Sequence, residues 1–331
     1  MSNQERDPGE LVCARGVVCE GIEILTPREV PLGGPRAMRV RRTLPQRDRS
    51  LIGAWCFLDH YGPDHVSDSG GMSVAPHPHT GLQTVSWLFT GEIEHRDSAG
   101  NHAMVRPGEV NLMTAGRGIS HSEVSTAGTT TLHGAQLWVA LPDASRFVDP
   151  GFQHHAPEPV TGDGWTARVF LGSLLGSTSP VETHTALLGA ELVVAAGTTL
   201  RLEVDTAYEH GVLVDTGLVS LDGQEVKVNE LAYAAPGRDC LELTAYDDAR
   251  VLLLGGEPLG ESIVMWWNFV GRSHEEIVAF REEWQAQITA GDEVVTDSQL
   301  LGPGRFGIVV DEHLPPIPAP ALPNARLKLR G

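Results

Sequence analysis

Hydrophobic and polar residues alternate over short stretches in the first half of the chain. In one such run, the apolar residues Val85, Trp87 and Phe89 occupy every second position, which is the period of a β-strand with one buried face. Turn signals such as Arg106-Pro107-Gly108 separate these runs roughly every 8–12 residues between about residues 17 and 141. Short strands at this spacing are typical of a β-sandwich or a β-barrel.

The same pattern returns after a polar stretch that contains four prolines, residues 142–165. We interpret this stretch as a linker between domains, and a long functional loop inside one domain is the alternative. Strand patterns resume over residues 166–256, with glycine-containing loops between them. The two halves therefore look like two copies of one β-architecture.

One helix is predicted near the C-terminus. Ser273 and Glu276 have the spacing of a capping box, and Ala290-Gly291 can end the helix. The apolar residues between them recur at helical spacing and indicate a core-facing stripe: Ile277, Phe280, Trp284 and Ile288. From Gly302 onward the sequence is rich in proline, which predicts an irregular tail that lies over a domain surface.

Composition narrows the classes of partner. The 331 residues suggest two domains, and a hydrophobic content of 41% is sufficient for packed cores. The formal net charge of −19 disfavours direct binding to nucleic acid, because the phosphate backbone is repelled. One basic run is either a solvated strand and loop or a docking patch for an acidic protein partner; it comprises Arg39, Arg41, Arg42, Arg47 and Arg49.

Cysteine spacing and the lack of long apolar segments indicate the cellular compartment. The spacing of Cys13, Cys19, Cys56 and Cys240 matches neither a disulfide framework nor a zinc knuckle, which favours reduced thiols. Residues 1–10 lack the apolar core of a signal peptide. No apolar run approaches the ~20 residues that a membrane helix needs. We therefore expect a cytoplasmic protein without a membrane partner.

Two short blocks carry the candidate chemistry. His77 and His79, and likewise His121 and Glu123, lie one residue apart, and side chains at i and i+2 of a strand point to the same face. A single His-X-His pair is more often structural, but two such blocks side by side bring three imidazoles and one carboxylate together. Because burying that carboxylate without a cation is costly, the sequence predicts a transition-metal site.

The predicted donor set restricts the metal. Without a thiolate ligand a structural zinc site is disfavoured, whereas imidazole with carboxylate suits Fe(II), Mn(II), Ni(II), Co(II) or Cu(II). Zn(II) in another role is retained as an alternative. Four protein ligands on an octahedral ion leave two positions for a bidentate substrate, or for one substrate atom and dioxygen.

Around these blocks the sequence resembles the pirin family of the cupin superfamily. The resemblance is dense over about residues 36–142 and rests on residues 57–63, 77–85, 91–98, 113–123 and 136–139. It implies an all-β fold of two cupin-type β-sandwich or barrel domains in tandem, with a short C-terminal helix and an irregular proline-rich tail. We expect a metal-binding domain (1–142), a linker (143–165), a second cupin domain without a metal site (166–290) and a tail (291–331).

The resemblance also assigns candidate site residues. The family's ligands fall on His77, His79, His121 and Glu123, and iron, as Fe(II), is the expected metal. Many cupins have a metal-binding Glu four residues after the second His, where this chain has Gln83. A neutral amide is a poor ligand, so we expect Gln83 to orient a ligand or substrate from outside the coordination sphere.

Two hypotheses of function follow from the resemblance. The first is an enzyme of the quercetin 2,3-dioxygenase type, which chelates a small aromatic phenolic substrate at the open metal positions. Glu123 is its candidate catalytic base. Phe57, Gln83 and Trp138 are candidates for the pocket lining, and each is equally readable as core.

The second hypothesis is an iron-dependent regulator that senses redox state and binds a protein partner, either as a transcriptional co-regulator or as a modulator of a metabolic enzyme. A metal that serves stability alone is a third reading. The enzyme is favoured, because open coordination positions are superfluous to a purely structural ion.

Overall fold

The computed structural model describes residues 21–32 and 38–329. Cys13 and Cys19, and the start of the strand pattern predicted from residue 17, lie outside these ranges. Over the described residues the chain is mainly β-structure. None of the helices within them is long and apolar enough to cross a membrane.

Strands from the first half of the chain form two antiparallel sheets. The first large sheet has the order β12-β9-β6-β11-β4-β3-β2, and the first small sheet has the order β5-β10-β7-β8. A four-residue helix, α1 (Val66–Ser69), follows β4. The strands of these two sheets are β2 (Arg28–Leu32), β3 (Met38–Leu44), β4 (Trp55–His65), β5 (Ser73–His79), β6 (Leu82–Thr90), β7 (Ile93–Asp97), β8 (His102–Val105), β9 (Val110–Thr114), β10 (Ile119–Ser125), β11 (Thr131–Ala140) and β12 (Gly151–His155). The preceding strand, β1 (Glu23–Leu25), belongs instead to the large sheet of the second half.

The second half repeats this arrangement. The second large sheet has the order β1-β22-β19-β24-β17-β14-β13, and the second small sheet has the order β18-β23-β20-β21. Strands β15 and β16 form a separate hairpin. The strands are β13 (Val160–Gly162), β14 (Trp165–Leu171), β15 (Ser173–Leu174), β16 (Ser177–Thr178), β17 (Leu187–Val194), β18 (Thr199–Glu203), β19 (Glu209–Thr216), β20 (Val219–Leu221), β21 (Gln224–Val226), β22 (Leu231–Ala234), β23 (Cys240–Ala245) and β24 (Ala249–Gly256).

The repetition of one large and one small sheet confirms the predicted all-β tandem architecture. The segment that was predicted to be a linker, 143–165, differs from the expectation because it contains two strands. Strand β12 pairs with β9 at the edge of the first large sheet, and β13 pairs with β14 at the edge of the second. Backbone groups that an open linker would leave to water are thus satisfied by the sheets.

The remaining elements form a compact C-terminal segment, residues 264–329. They are β25 (Val264–Trp266), β26 (Phe269–Gly271), α2 (His274–Ile288), β27 (Thr289–Ala290), β28 (Glu293–Val294) and a 3₁₀ turn (Ser298–Leu300). The predicted N-cap is confirmed, because the backbone N–H of Glu276 donates to the Ser273 hydroxyl at 3.2 Å. The second bond of a capping box differs, because the Glu276 carboxylate accepts from the backbone N–H of Arg272, at 2.7 Å. All four residues of the predicted apolar stripe are buried.

The C-terminal segment packs against the first small sheet. The backbone N–H of Val270 donates to the Thr80 carbonyl at 3.1 Å, and that of Ile317 donates to the Pro76 carbonyl at 2.8 Å. Gly81 has φ +67° and a Cβ there would lie 2.3 Å from the Val270 carbonyl oxygen, so only glycine permits this approach. The C-terminal segment therefore covers the strands that carry the predicted metal ligands.

The two large sheets share a hydrophobic core between the domains. Trp55, Val85 and Trp87 from the first domain pack in one cluster with Phe170 and Leu254 from the second. Burial of large apolar side chains contributes roughly 1.5–3 kcal/mol each. Docking of the two domains is therefore hydrophobic in origin.

A polar network crosses the same interface. The Nε2–H groups of His60 and His133 donate to one oxygen of Asp215 at 2.8 and 2.6 Å, and Arg250 donates to the other oxygen at 3.2 Å. Glu191 lies 3.4 Å from the Arg250 guanidinium. Burial acts to raise the pKa of Asp215, but the hydrogen bonds from His133 and His60 outweigh it and lower the pKa. Asp215 is therefore ionised and balanced by Arg250.

Two arginines of the predicted basic patch are buried instead of forming a docking surface. Arg42 makes a two-pronged ion pair with Asp59 at 2.7 and 2.8 Å inside the first domain. Arg49 donates to Glu23 at 2.6 Å and lies over the ring of Tyr233. Their charges are used within the fold, which the run of charges in the sequence does not reveal.

Replacing Asp215 by alanine should lower the free energy of unfolding by about 3–5 kcal/mol, because Arg250 and two buried imidazole N–H groups then lose their acceptor. Urea denaturation followed by tryptophan fluorescence measures the change. Glu29→Ala is the control, because the Glu29–Arg39 ion pair is largely exposed and contributes little. Equal unfolding midpoints for the two variants would contradict a stabilising role for the network.

The buried residue His210, in β19, should make the stability of the fold sensitive to acid. Its side chain is fully buried, and neither ring nitrogen has a hydrogen-bond partner among the described residues. Burial lowers the pKa of His210 to about 4, whereas the pKa in the unfolded chain is about 6.5. The unfolded chain therefore binds this proton first, so stability is fully present above about pH 6.5 and is lost as the pH falls toward 4.

His210→Leu should therefore reduce the loss of stability in acid by up to about 1.4 kcal/mol per pH unit below pH 6.5. Urea denaturation at a series of pH values measures this slope. The exposed residue His184 supplies the matched control, His184→Leu, which should keep the slope of the original protein. If His210→Leu also keeps it, His210 is not the source of the acid sensitivity.

Candidate metal centre

Three neighbouring strands of the first small sheet build the site, in the order β5-β10-β7. His77 and His79 end β5, and His121 and Glu123 lie in β10, with His77 directly opposite His121. The pairing shifts between His121 and Glu123 because β5 contains an additional residue there. Pro76 lies in this bulge, where its missing N–H removes no ladder hydrogen bond.

The three predicted histidine ligands converge. One nitrogen from each of His77, His79 and His121 lies within 4.8 Å of the other two. The ring centroids are 4.3 Å apart for His77 and His121 and 5.0 Å apart for the other two pairs. All three Nε2 atoms are buried and have no hydrogen-bond partner among residues 21–32 and 38–329. Such orphaned acceptors are rare in protein interiors and call for an explanation.

The other ring nitrogens explain the orientation. Nδ1 of His77 lies 2.9 Å from the carbonyl oxygen of Ala75, and Nδ1 of His79 lies 3.1 Å from that of Asn268. A carbonyl only accepts, so each Nδ1 carries the proton and each Nε2 presents its lone pair to the shared centre. This is the usual arrangement of histidines that bind a metal.

The pKa values agree with neutral imidazoles. Burial lowers the pKa of His77 to about 3. Burial, together with the neighbouring histidines, lowers the pKa values of His79 and His121 well below the ordinary value. At neutral pH the three rings are therefore unprotonated, as metal ligation requires.

The carboxylate of Glu123 joins this cluster through His121. Donor atoms of Glu123, His121 and His95 lie within 4.8 Å of one another, and all three side chains are buried. Burial acts to raise the pKa of Glu123, but its electrostatic surroundings outweigh burial and lower the pKa. Glu123 is therefore ionised, as a carboxylate must be to bind a metal.

His95 and Asp97 are site residues that the sequence reasoning did not single out. They lie one residue apart in β7, and the pairing with β10 places His95 opposite Glu123 and Asp97 opposite His121. Nδ1 of His95 lies 3.4 Å from Nδ1 of His121, and its Nε2 lies 3.2 Å from Asp97. The signal was available, because His95-X-Asp97 is a third pair of same-face donors.

The three predicted pocket residues have different positions. Trp138 lies against His79, with ring centroids 5.1 Å apart, and Phe57 stacks on Trp138 at 4.0 Å. Gln83 donates to the Thr114 hydroxyl at 2.9 Å. By strand alternation, Gln83 shares a face with Val85, which packs toward the second domain. The hydrogen bond of Gln83 thus runs to Thr114, whereas Trp138 adjoins the predicted ligand His79. The outer role of Gln83 at the ligands stays a prediction.

The network of His60, His133 and Asp215 serves as a comparison. Its three donors also lie within 4.8 Å of one another. However, the 2.6 and 2.8 Å distances join hydrogen-bonded atoms, whereas ligands on one ion with bonds of about 2.1 Å are roughly 3 Å apart or more. Its nitrogens therefore have partners, while those of His77, His79 and His121 have none among the described residues.

The donor set fits a divalent transition metal. Three neutral imidazoles with inward lone pairs lie in a buried sheet face, and the ionised carboxylate of Glu123 lies beside one of them, His121. Among the described residues neither group of donors includes a thiolate. Among its described residues, the second domain contains no corresponding group of histidines, because His210 is the only buried histidine there. The fold and site together define a tandem cupin protein with its candidate metal centre in the first domain.

Comparisons with known proteins agree with this class. The family model described as Pirin matches residues 37–139, and the model described as Pirin C-terminal cupin domain matches residues 189–289. A Pseudomonas aeruginosa protein named "Putative quercetin 2,3-dioxygenase PA1205" is 43% identical over 303 residues, which are 91% of each chain. A "Pirin-like protein" of Caulobacter vibrioides is 37% identical over 75% of this chain and 88% of its own length.

Among solved structures, a quercetin 2,3-dioxygenase from Acinetobacter baumannii superposes with a TM-score of 0.82 at 37% identity, covering 93% of this chain and 98% of the other. The chain belongs to the pirin family.

We predict that the chain binds one divalent metal ion at this centre. His121→Ala should weaken binding of Co(II) by more than about 100-fold, beyond the 10–100-fold typical of residues outside the coordination sphere. Competition with a chromophoric chelator measures the affinity. The partly exposed residue His102, which pairs with Glu94, supplies the control, His102→Ala. Equal affinities for the two variants would contradict the assignment.

Proposed function

We propose that this pirin-family protein is a metal-dependent dioxygenase of the quercetin 2,3-dioxygenase type that acts on a small, chelating phenolic substrate. The observation that carries the proposal is the convergence of three buried, unpartnered Nε2 atoms beside an ionised carboxylate. The names of two similar proteins, a putative quercetin 2,3-dioxygenase from Pseudomonas aeruginosa and a quercetin 2,3-dioxygenase from Acinetobacter baumannii, support the same substrate class.

His77, His79, His121 and Glu123 are the proposed metal ligands, and iron is the proposed metal. When bound, the metal supplies a Lewis acid that polarises the chelating oxygens of the substrate and a redox centre for its reaction with dioxygen. On an octahedral ion these four ligands would leave two positions for oxygen atoms of the substrate or of dioxygen.

Glu123 is the proposed catalytic base. Its lowered pKa keeps the carboxylate ionised at neutral pH, so it is able to accept the proton of the phenolic hydroxyl. Because the side chain is buried, this proton transfer takes place away from bulk water. The same carboxylate would also balance part of the positive charge of a bound metal ion.

Trp138 is the proposed wall for the aromatic ring of the substrate. It is fully buried next to His79, and its indole N–H has no hydrogen-bond partner among the described residues. Phe57 supports the other side of the indole, and the Arg42 guanidinium lies 4.4 Å from the centre of the Phe57 ring. A stiff aromatic wall with a free donor suits a flat, oxygen-rich ligand.

The test is aerobic turnover of quercetin by the iron-loaded protein. His121→Ala should abolish product formation together with metal binding. Trp138→Leu should raise KM by roughly 10-fold or more, because it removes an aromatic contact worth about 0.5–1.5 kcal/mol in addition to buried area, while Trp138→Phe should retain most of the affinity. His102→Ala serves as the control with ordinary kinetics. Iron bound at full occupancy without any metal-dependent product would contradict the proposed function.

A further inference from the structure

We propose that His95 and Asp97 are positioning residues that form a hydrogen-bonded relay onto His121, fixing its tautomer and strengthening its donation to the metal. The inference rests on the proposed metal function and concerns the same centre. It distinguishes His121 from the other two histidine ligands, and it assigns a role to two buried residues that the proposed mechanism does not use.

The pairing of β7 with β10 creates the relay. Asp97 lies opposite His121 and His95 lies opposite Glu123, so the inward side chains of one strand face those of the other at the distance of cross-strand neighbours. His95 and Asp97 are 3% and 1% exposed. The ring of Phe152, in β12, packs on His95 with a centroid separation of 5.0 Å and limits the movement of the imidazole.

The hydrogen bonds have a single consistent direction. The carboxylate of Asp97 accepts, so Nε2 of His95, at 3.2 Å, carries a proton and donates it. In the tautomer with its proton on Nε2, His95 has a lone pair on Nδ1, which accepts from Nδ1–H of His121 at 3.4 Å. Nε2 of His121 is consequently left with its lone pair toward His77 and His79, in agreement with its lack of any other partner among the described residues.

Asp97 is itself held in place. One of its oxygens accepts from the backbone N–H groups of Ala99 and Asn101 at 2.9 and 3.0 Å, and the Asn101 amide reaches both oxygens at 3.0 Å. The turn after β7 therefore fixes the carboxylate before any ligand binds. An anchored carboxylate behind an imidazole is the arrangement by which proteins orient a metal-binding histidine.

The relay gives His121 a different electronic environment from its neighbours. His77 and His79 donate to backbone carbonyls, of Ala75 and Asn268, whereas His121 donates to an imidazole that is backed by a carboxylate. The charged end of the relay makes it a stronger acceptor than a carbonyl. A stronger acceptor raises the basicity of the ligand and favours the oxidised state of a bound metal.

Direct metal ligation by His95 is the competing explanation, because His95, His121 and Glu123 also lie within 4.8 Å of one another. The two explanations predict losses of metal affinity of different size. Loss of a ligand should weaken metal binding as much as His121→Ala does, whereas loss of a relay residue should weaken it by about 10–100-fold.

The experiment compares four variants with the original protein. His95→Phe removes both ring nitrogens at similar size, and His95→Gln keeps an acceptor toward His121 and a donor toward Asp97. Asp97→Asn keeps the hydrogen bond but removes the charge. His102→Phe, in the neighbouring strand β8 with its side chain 49% exposed, is the control. The readouts are the dissociation constant of Co(II), the midpoint potential of the iron-loaded protein and the melting temperature of the metal-free protein.

We expect His95→Phe to bind Co(II) about 10–100-fold more weakly, and His95→Gln to recover most of this loss. In Asp97→Asn the midpoint potential should rise while the affinity stays within a few-fold of the original. His102→Phe should match the original protein in every readout. A structural role alone would lower the melting temperatures and leave the potential of Asp97→Asn unchanged, which would overturn the relay.

Two further outcomes would overturn it. Undiminished affinity and an unchanged potential in His95→Phe would show that His121 needs no support from β7. A loss as large as that in His121→Ala would make His95 a ligand. Failure of the original protein to bind Co(II) would contradict the proposed metal function, and the relay with it. A failure of the relay alone leaves Co(II) binding by the original protein intact, so the two failures are distinguishable.

Discussion

The orientation of three buried imidazoles is the constraint on which the rest of the site depends. Each Nδ1 is tied to a partner outside the cluster, and each Nε2 faces the shared centre without one among the described residues. The three partners come from different parts of the chain: the bulge of β5, the loop before β26 and strand β7. Leaving three buried acceptors unsatisfied costs about 1–3 kcal/mol each. A bound cation would offset this cost.

Because the imidazoles are oriented by distant partners, parts of the molecule that are remote in sequence support the candidate metal centre. The C-terminal segment supplies the acceptor for His79 and covers the first small sheet, with Ser120 donating to the Phe306 carbonyl at 2.9 Å. Strand β12 supplies Phe152, which packs on His95. The second domain buries the outer face of the first large sheet, and the Asp215 network joins the two. The centre is therefore a product of the whole chain, although its proposed ligands come from two strands.

Much of this could be predicted from local patterns. Alternation and turns indicated an all-β tandem fold, and the capping box located α2 at its observed start. The spacing of His77, His79, His121 and Glu123 indicated a shared cluster. Longer-range features could not be predicted. Nothing local to the segment 143–165 shows that it pairs with distant strands, and the role of His95 depends on the register between β7 and β10. The burial of Arg42 and Arg49 likewise depends on partners that are distant in sequence.

X-ray absorption spectroscopy at the metal edge, on protein purified without added metal, tests the central claim most directly. The account predicts a first shell of nitrogen and oxygen only, at about 2.0–2.2 Å, with the outer-shell scattering of three imidazoles and one carboxylate. A shell that contains sulfur, or fewer than two imidazoles, would contradict it. So would protein that remains metal-free after exposure to Fe(II), Co(II) and Ni(II) in turn.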